Sequence, residues 1–87
     1  MRYHVDLARR AQKFLASQSK DIQQQIGEKI DVLESDPRPP GHKHLHGFKD
    51  LYRVRCGDYR IVYTIRDTQL LVLVIQIGHR RDVYRKI

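Results

Sequence analysis

The sequence predicts an α+β domain in which two N-terminal helices pack on an antiparallel β-sheet meander, followed by a short C-terminal helical turn. Two observations carry this prediction. Apolar residues in the first 35 positions recur every three or four residues, whereas apolar residues after position 50 alternate with polar ones. Because 87 residues suffice for one compact domain and not for two, we expect a single domain over residues 1–87.

The first elements are a strand and a helix. Polar–apolar alternation predicts a short strand over Arg2–Val5. Asp6 is a suitable N-cap for a helix that runs to about Ser17, because its carboxylate can accept hydrogen bonds from the first backbone N–H groups. The apolar stripe of that helix is formed by Leu7, Ala8, Ala11, Phe14 and Leu15.

A second helix is predicted from about Ser19 to Ser35. Its apolar side is formed by Ile22, Ile26, Ile30 and Leu33. The proline-rich segment from Asp36 to Gly41 stops this helix, because proline lacks a backbone N–H and restricts the residue before it. We therefore expect a rigid connector between the helices and the strands.

Three strands are predicted after the connector. Leu51–Cys56 and Tyr59–Ile65 alternate on either side of Gly57-Asp58, which is typical of a two-residue hairpin turn. Asp67-Thr68 marks a second turn, and the next strand, Leu70–Ile77, is apolar on both faces, as central strands are. These strands form the predicted meander.

A two-residue turn sets the register of the first hairpin and therefore its two faces. One face is apolar and is formed by Tyr52, Val54, Cys56, Tyr59, Ile61 and Tyr63. The other face gathers Arg53, Arg55 and Arg60, with Arg55 directly opposite Arg60. Opposed like charges destabilise a hairpin, so this pairing indicates a bound anion. Guanidinium groups offer forked donors that match phosphate geometry.

The third strand extends this site. If it runs antiparallel to the second, its end at Gly78–Arg81 returns beside the Gly57-Asp58 turn, and Tyr84 lies just beyond. Converging cations, an imidazole and an aromatic ring suit a phosphodiester with a stacked base. The competing interpretation is an exposed sheet face whose long side chains extend into water.

The distribution of charge favours a polyanion partner. The chain carries 17 Lys and Arg against 10 Asp and Glu, a net charge of +7. Residues 42–87 hold 10 of the basic and only 4 of the acidic side chains. Such clustering is typical of nucleic-acid binders, although a solvated surface is the alternative.

Composition also predicts where the protein acts. The single cysteine, Cys56, cannot form an internal disulfide, as expected in a reducing compartment. No apolar run has transmembrane length, and the N-terminus lacks a secretory pattern. We therefore expect a soluble, cytoplasmic protein with no membrane partner.

RNA cleavage at such a site needs no metal or cofactor. The 2′-hydroxyl is the nucleophile, and the site must supply a proton acceptor, a stabiliser of the anionic phosphorane and a proton donor for the leaving oxygen. Arginines suit the second role and are poor proton acceptors. His42, His44 and His46 alternate, but no Cys or carboxylate lies beside them at ligand spacing, so we expect no metal site there.

Two sequence blocks resemble a known family. YRVRCGDYRIVY over residues 52–63 and IGHRRDVY over residues 77–84 are similar to the RelE branch of the RelE/ParE toxin superfamily, and Leu45-His46-Gly47 resembles its leucine–basic–glycine step. The resemblance covers the whole chain. It implies a microbial-RNase-like fold and an mRNA interferase, a toxin that enters the ribosomal A site and cleaves mRNA there. Attack by the 2′-hydroxyl leaves a 2′,3′-cyclic phosphate.

The resemblance also assigns residue roles. Arg53 and Arg55 match two basic residues of the first hairpin strand, and Arg60 matches the arginine that contacts the reacting phosphate. Arg80 matches the arginine that protonates or stabilises the leaving group, and Tyr84 matches the tyrosine that stacks on the base.

One departure leaves the proton acceptor open. The archetypal family member has lysines where this chain has Arg53 and Arg55, and lysine gives up its proton more easily. Histidine is the side chain whose ordinary charge change falls near neutral pH, so His79, next to Arg80, is a candidate base or phosphate ligand; an exposed histidine at a strand end is the alternative. The alternative to a base in the protein is orientation of the message by the ribosome, which accelerates cleavage by positioning the reacting groups.

The resemblance further implies partners and rivals. The expected partners are an acidic RelB-like antitoxin, the ribosome with its mRNA, and operator DNA bound through the antitoxin complex. Two other functions remain open: a ParE-like inhibitor of DNA gyrase, and a non-catalytic module that binds antitoxin and operator DNA. The presence of both Arg80 and Tyr84 favours the ribonuclease.

Overall fold

A computed structural model of the chain describes residues 2–45, 47 and 49–79. Two helices and five strands lie in these ranges: β1 (His4–Leu7), α1 (Arg9–Ala16), α2 (Lys20–Ser35), β2 (Lys43–His44), β3 (Leu51–Cys56), β4 (Tyr59–Arg66) and β5 (Leu71–His79). The strands form one sheet in the order β1-β5-β4-β3-β2. The predicted C-terminal helical turn lies outside the described residues.

The fold class is the predicted α+β arrangement, but the sheet is mixed. Strands β2 to β5 pair antiparallel, and β3, β4 and β5 form the predicted meander. β1 adds to the far side of β5 and runs parallel to it, with Val5 opposite Val72. The parallel pair is possible because both helices and three strands separate β1 from β5 along the chain, which leaves enough length for a crossover.

Helix α1 begins later than predicted, and Asp6 is not its N-cap. Asp6 lies in β1, opposite Leu73. The backbone remains hydrogen-bonded to β5 as far as Ala8, whose N–H donates to the carbonyl of Val74 at 2.8 Å. The helix starts only at Arg9, after the chain has left this ladder. Continued pairing with β5 therefore overrides the local capping signal of Asp6.

Helix α2 matches its prediction closely. The Ser19 hydroxyl accepts a hydrogen bond from Ile22 N–H at 3.4 Å, and the helix ends at Ser35 before the prolines. Its buried side is formed by Ile26, Ile30 and Leu33. This apolar face packs on the sheet and covers one side of it.

The core lies between the helices and one face of the sheet. From the hairpin it includes Val54, Cys56, Ile61 and Tyr63, as the register predicted. Tyr63 is fully buried, and its hydroxyl donates to the carbonyl of Pro37 at 2.7 Å, which joins the connector to β4. Burial raises the pKa of Tyr63 to about 12.

An ion pair joins the connector to the turn after β4. Arg38 donates to both carboxylate oxygens of Asp67, at 3.2 and 2.9 Å, and Tyr3 donates to Asp67 at 2.7 Å. These donors hold the pKa of Asp67 below its usual value. Arg38 also lies 5.6 Å from the centre of the Tyr52 ring. The hydrogen bonds among Arg38, Asp67 and Tyr3 therefore connect three segments that are distant in sequence.

Strand boundaries differ slightly from the predictions. β1 lies two residues later than the predicted Arg2–Val5 strand, β4 extends to Arg66, and β5 covers Leu71–His79. The two-residue strand β2 has no sequence signal, because two residues are too few to show a period.

Neither helix in the described ranges is long and apolar enough to span a membrane.

Candidate functional site

The β3–β4 hairpin has the predicted register. Arg55 is directly opposite Arg60 and Cys56 is opposite Tyr59 across the two-residue turn. Gly57 adopts a φ of +61°, a conformation that turns of this kind require and that side chains disfavour. Local turn geometry therefore places the two arginines opposite each other.

Three arginines share the sheet face that points away from the helices. Arg53 and Arg60 are half-buried, and Arg55 is exposed. We refer to the side of the sheet that carries these three residues as the arginine face. Within the described residues, neither Arg53 nor Arg55 forms an ion pair with a carboxylate.

Lys43 adds a fourth cation to the arginine face. It lies on β2 directly opposite Arg53, and it is exposed. Sequence reasoning missed it because β2 carries no periodic signal of its own. The alternation of His42 and His44 did contain the information, since it places the intervening Lys43 on the other side of an extended segment.

Strand β5 contributes two residues to the arginine face: Gly78, which the predicted strand end included, and Gln76, which sequence reasoning missed. Gly78 is opposite Arg60 and Gln76 is opposite Val62, so both lie on the same side as the arginines. Gln76 is only 5% exposed. Its side-chain carbonyl oxygen is buried without a hydrogen-bond partner among the described residues, a situation that costs about 1–3 kcal/mol.

His79 lies on the other side of the sheet. It pairs with Tyr59, on the face that packs against the helices, and the two rings meet edge to face at 6.0 Å between centroids. Strand β5 thus returns beside the Gly57-Asp58 turn, as predicted, but His79 lies on the opposite face of the sheet from the arginines. The reason is the period of two: because Gly78 is opposite Arg60, the next residue must point to the opposite face. Arg80 and Tyr84 lie outside the described residues.

Of the three alternating histidines, His46 lies outside the described residues, and His42 and His44 make hydrogen bonds to backbone carbonyls. His42 contacts the carbonyl of Pro39 at 2.8 Å, and His44 contacts the carbonyl of Lys49 at 2.7 Å. The His44 ring also lies 5.1 Å from that of Tyr52. Across the described ranges, no three His, Cys, Asp or Glu side chains are grouped as metal ligands.

The thiol of Cys56 lies behind the arginine face, in the core. It is 4% exposed and donates to the carbonyl of Gln25 at 3.3 Å. Burial raises the pKa of this thiol, which disfavours the reactive thiolate. Cys56 is therefore a core residue, as the register predicted.

The arginine face has the chemistry of a phosphate site. Guanidinium groups that face each other across neighbouring strands can each donate two hydrogen bonds to one phosphate. They would stabilise the extra negative charge of a pentacoordinate phosphorane more than that of the ground-state diester. Arginine does not serve as a proton acceptor near neutral pH, so the face supplies charge rather than base catalysis.

Comparison with known proteins identifies the family. Residues 5–84 match the family described as "ParE toxin of type II toxin-antitoxin system, parDE". A putative RelE-like toxin protein of Escherichia coli is 38% identical over 97% of this chain and 92% of its own length. The chain belongs to the RelE branch of the RelE/ParE toxin superfamily.

Two further RelE proteins are similar over most of their length. The mRNA interferase toxin RelE of Escherichia coli K12 is 36% identical over 97% of this chain and 92% of its own length. RelE in the archaeal RelE–RelB complex of Pyrococcus horikoshii superposes with a TM-score of 0.80 at 30% identity, covering 92% of this chain and 97% of that one. This RelE toxin thus shares both sequence and fold with bacterial and archaeal relatives.

Proposed function

We propose that the protein is the toxin of a type II toxin–antitoxin system and acts as an mRNA interferase. It cleaves mRNA in the ribosomal A site by attack of a 2′-hydroxyl on the adjacent phosphate. The observation that carries this proposal is the facing pair of Arg55 and Arg60 on a face with Arg53 and Lys43. Identity of 36% with a protein named an mRNA interferase supports the same reaction.

Each cation has a proposed role. Arg60 and Arg55 bind the reacting phosphate and stabilise the phosphorane. Arg53 and Lys43 lie further from the Gly57-Asp58 turn than Arg55 does. They bind the neighbouring phosphate and set the position of the message. By family resemblance, Arg80 assists the leaving 5′-oxygen and Tyr84 stacks on the base.

The proton acceptor is proposed to lie outside the arginine face. His79 points to the other side of the sheet, which argues against direct contact with a phosphate held by Arg60. Positioning of the 2′-hydroxyl for in-line attack can supply much of the rate without a strong base in the protein. This predicts a shallow dependence of cleavage on pH.

The proposed regulatory partner is an acidic RelB-like antitoxin. The family description names a toxin–antitoxin system, and the Pyrococcus horikoshii relative was crystallised with RelB. A net charge of +7 favours an acidic partner. Operator DNA is proposed to bind through that complex, and the cytoplasm is the proposed site of action.

The test is cleavage of a defined message on ribosomes paused with an empty A site. Primer extension maps the 5′ ends after addition of the wild type, Arg60→Ala or Arg80→Ala. We expect a cut within the A-site codon for the wild type and a loss of about a hundredfold or more for Arg60→Ala. Parallel lanes hold the same RNA without ribosomes, where we expect no cut.

Arg66→Ala is the matched control. Arg66 lies on β4 and on the same side of the sheet as Arg60, but at the opposite end of the strand, facing Leu71. It should cleave like the wild type. Intact RNA in every lane would refute the ribonuclease and direct the next assay to DNA gyrase inhibition. Antitoxin and operator binding alone would then be the remaining function.

A further inference from the structure

Gln76 is a buried polar residue that the proposed reaction has not yet used. It is 5% exposed, and its side-chain carbonyl oxygen has no hydrogen-bond partner among the described residues. It lies on the arginine face, in the strand next to Arg60. A buried acceptor at this place needs a donor, and the surrounding chemistry suggests which one.

Strand register makes Arg60 the neighbouring donor. Arg60 is directly opposite Gly78, and Gln76 is two residues from Gly78, so Arg60 and Gln76 are diagonal neighbours on one face. Diagonal neighbours lie about 7–8 Å apart at the backbone, within reach of long side chains. Because Gly78 has no side chain, nothing from that residue stands between them.

We propose that Gln76 is a positioning residue for Arg60: its side-chain carbonyl accepts an N–H of the guanidinium and holds that group toward the reacting phosphate. The proposal rests on the proposed function for its role in catalysis. A guanidinium carries five N–H donors, so one bond to Gln76 leaves the others for the phosphate and for further partners. Hydrogen bonds of this kind often shorten only when substrate is bound.

A positioning role makes a prediction that a structural role does not. The Gln76 side-chain oxygen is buried without a partner among the described residues, so an apolar side chain of similar shape removes a desolvation penalty, and Gln76→Leu should melt at or above the wild-type temperature. The same variant should cleave about tenfold to a hundredfold more slowly in single turnover at saturating ribosomes, because the guanidinium is less well oriented. The amount of protein needed for half-maximal rate should change little.

Two further variants test the mechanism. Gln76→Glu keeps an acceptor oxygen and should cleave faster than Gln76→Leu. In an Arg60→Ala background, Gln76→Leu should cost nothing more, because the group that it orients is gone. The buried Thr64 lies on the same face opposite Leu73, and Thr64→Val, the control, should leave cleavage unchanged.

The contact itself can be tested without ribosomes. Titration with inorganic phosphate should slow solvent exchange of the Arg60 Nε–H proton in ¹H–¹⁵N spectra of the wild type, and not of Gln76→Leu. Equal exchange in both proteins, wild-type cleavage by Gln76→Leu, or equal losses in the presence and absence of Arg60 would each overturn the proposal. If phosphate slows exchange of the Arg60 N–H in the wild type but the wild type does not cleave the message, the proposed function is wrong. The positioning contact between Gln76 and Arg60 would then still stand.

Discussion

At the scale of single residues, the arginine face combines like charges that a folded protein would otherwise separate. Arg55 and Arg60 occupy directly opposed positions, where like charges raise the free energy of the hairpin. Such a site is stabilised by the anion that it binds, so function and stability favour different residues at the same position. Gln76 shows the same conflict, since its buried side-chain oxygen has no partner in the part of the chain that the structure describes, and such burial disfavours folding.

Removal of one opposed charge should therefore stabilise the free protein. We expect Arg55→Thr to raise the free energy of unfolding by about 0.2–1 kcal/mol at low salt, with a smaller gain at high salt because ions screen the repulsion. Urea denaturation at two salt concentrations measures this. Arg66→Thr is the control, because Arg66 faces Leu71 rather than a cation. A lower stability for Arg55→Thr at low salt would contradict the repulsion.

At the scale of elements, the turn between β3 and β4 is the local feature on which the site depends. Gly57 has a φ of +61°, and this backbone conformation sets the register that brings the arginines together. A Cβ at this position would also lie 2.5 Å from the side-chain nitrogen of Gln25, which would have to move. Helix α2 contains a second glycine, Gly27, around which a Cβ would meet nothing within 4 Å.

The two glycines should respond in opposite directions to the same substitution. Gly57→Ala should lower the free energy of unfolding by about 1–2 kcal/mol, because an L-residue is strained at positive φ. Gly27→Ala should raise it by about 0.5–1 kcal/mol, because alanine loses less backbone entropy in a helix. Thermal or urea unfolding of both variants tests the pair. Equal effects of the two would show that the turn does not require glycine.

At the scale of the whole molecule, the contact of Arg38 with Asp67 and Tyr3 joins three segments that are distant in sequence. Arg38 belongs to the connector, Asp67 follows β4, and Tyr3 precedes β1. The pKa of Asp67 is lowered, chiefly by its hydrogen bonds from Arg38 and then from Tyr3. The ion pair is exposed, so its contribution to stability is modest and falls with salt.

This contact predicts a pH dependence of stability. Because the folded-state pKa of Asp67 lies below its ordinary value of 3.8, its contribution is fully present above that value and is lost as pH falls through the lowered pKa. Asp67→Asn should therefore be less stable than the wild type at neutral pH, and the difference should shrink below about pH 4. Urea midpoints between pH 7 and pH 2 measure it. A difference that is constant with pH would exclude the carboxylate as its source.

Three local features follow from nearby residues alone: helix α2 from about Ser19 to Ser35, the Gly57-Asp58 turn, and the pairing of Arg55 with Arg60. Each depends on residues close together in the chain, so period and turn chemistry suffice. The late start of α1, the parallel pairing of β1 and the position of Lys43 opposite Arg53 were decided by the tertiary structure.

Strand β5 shows most clearly why local sequence patterns do not assign every side chain to a face of the sheet. Its existence follows from an apolar run, but its register against β4 decides that Gln76 joins Arg60 and that His79 joins Tyr59. That register shifts between Val62 and Tyr63, an irregularity that no local pattern announces. A change of one residue exchanges the two faces of a strand, so only the assembled sheet assigns these side chains to their sites.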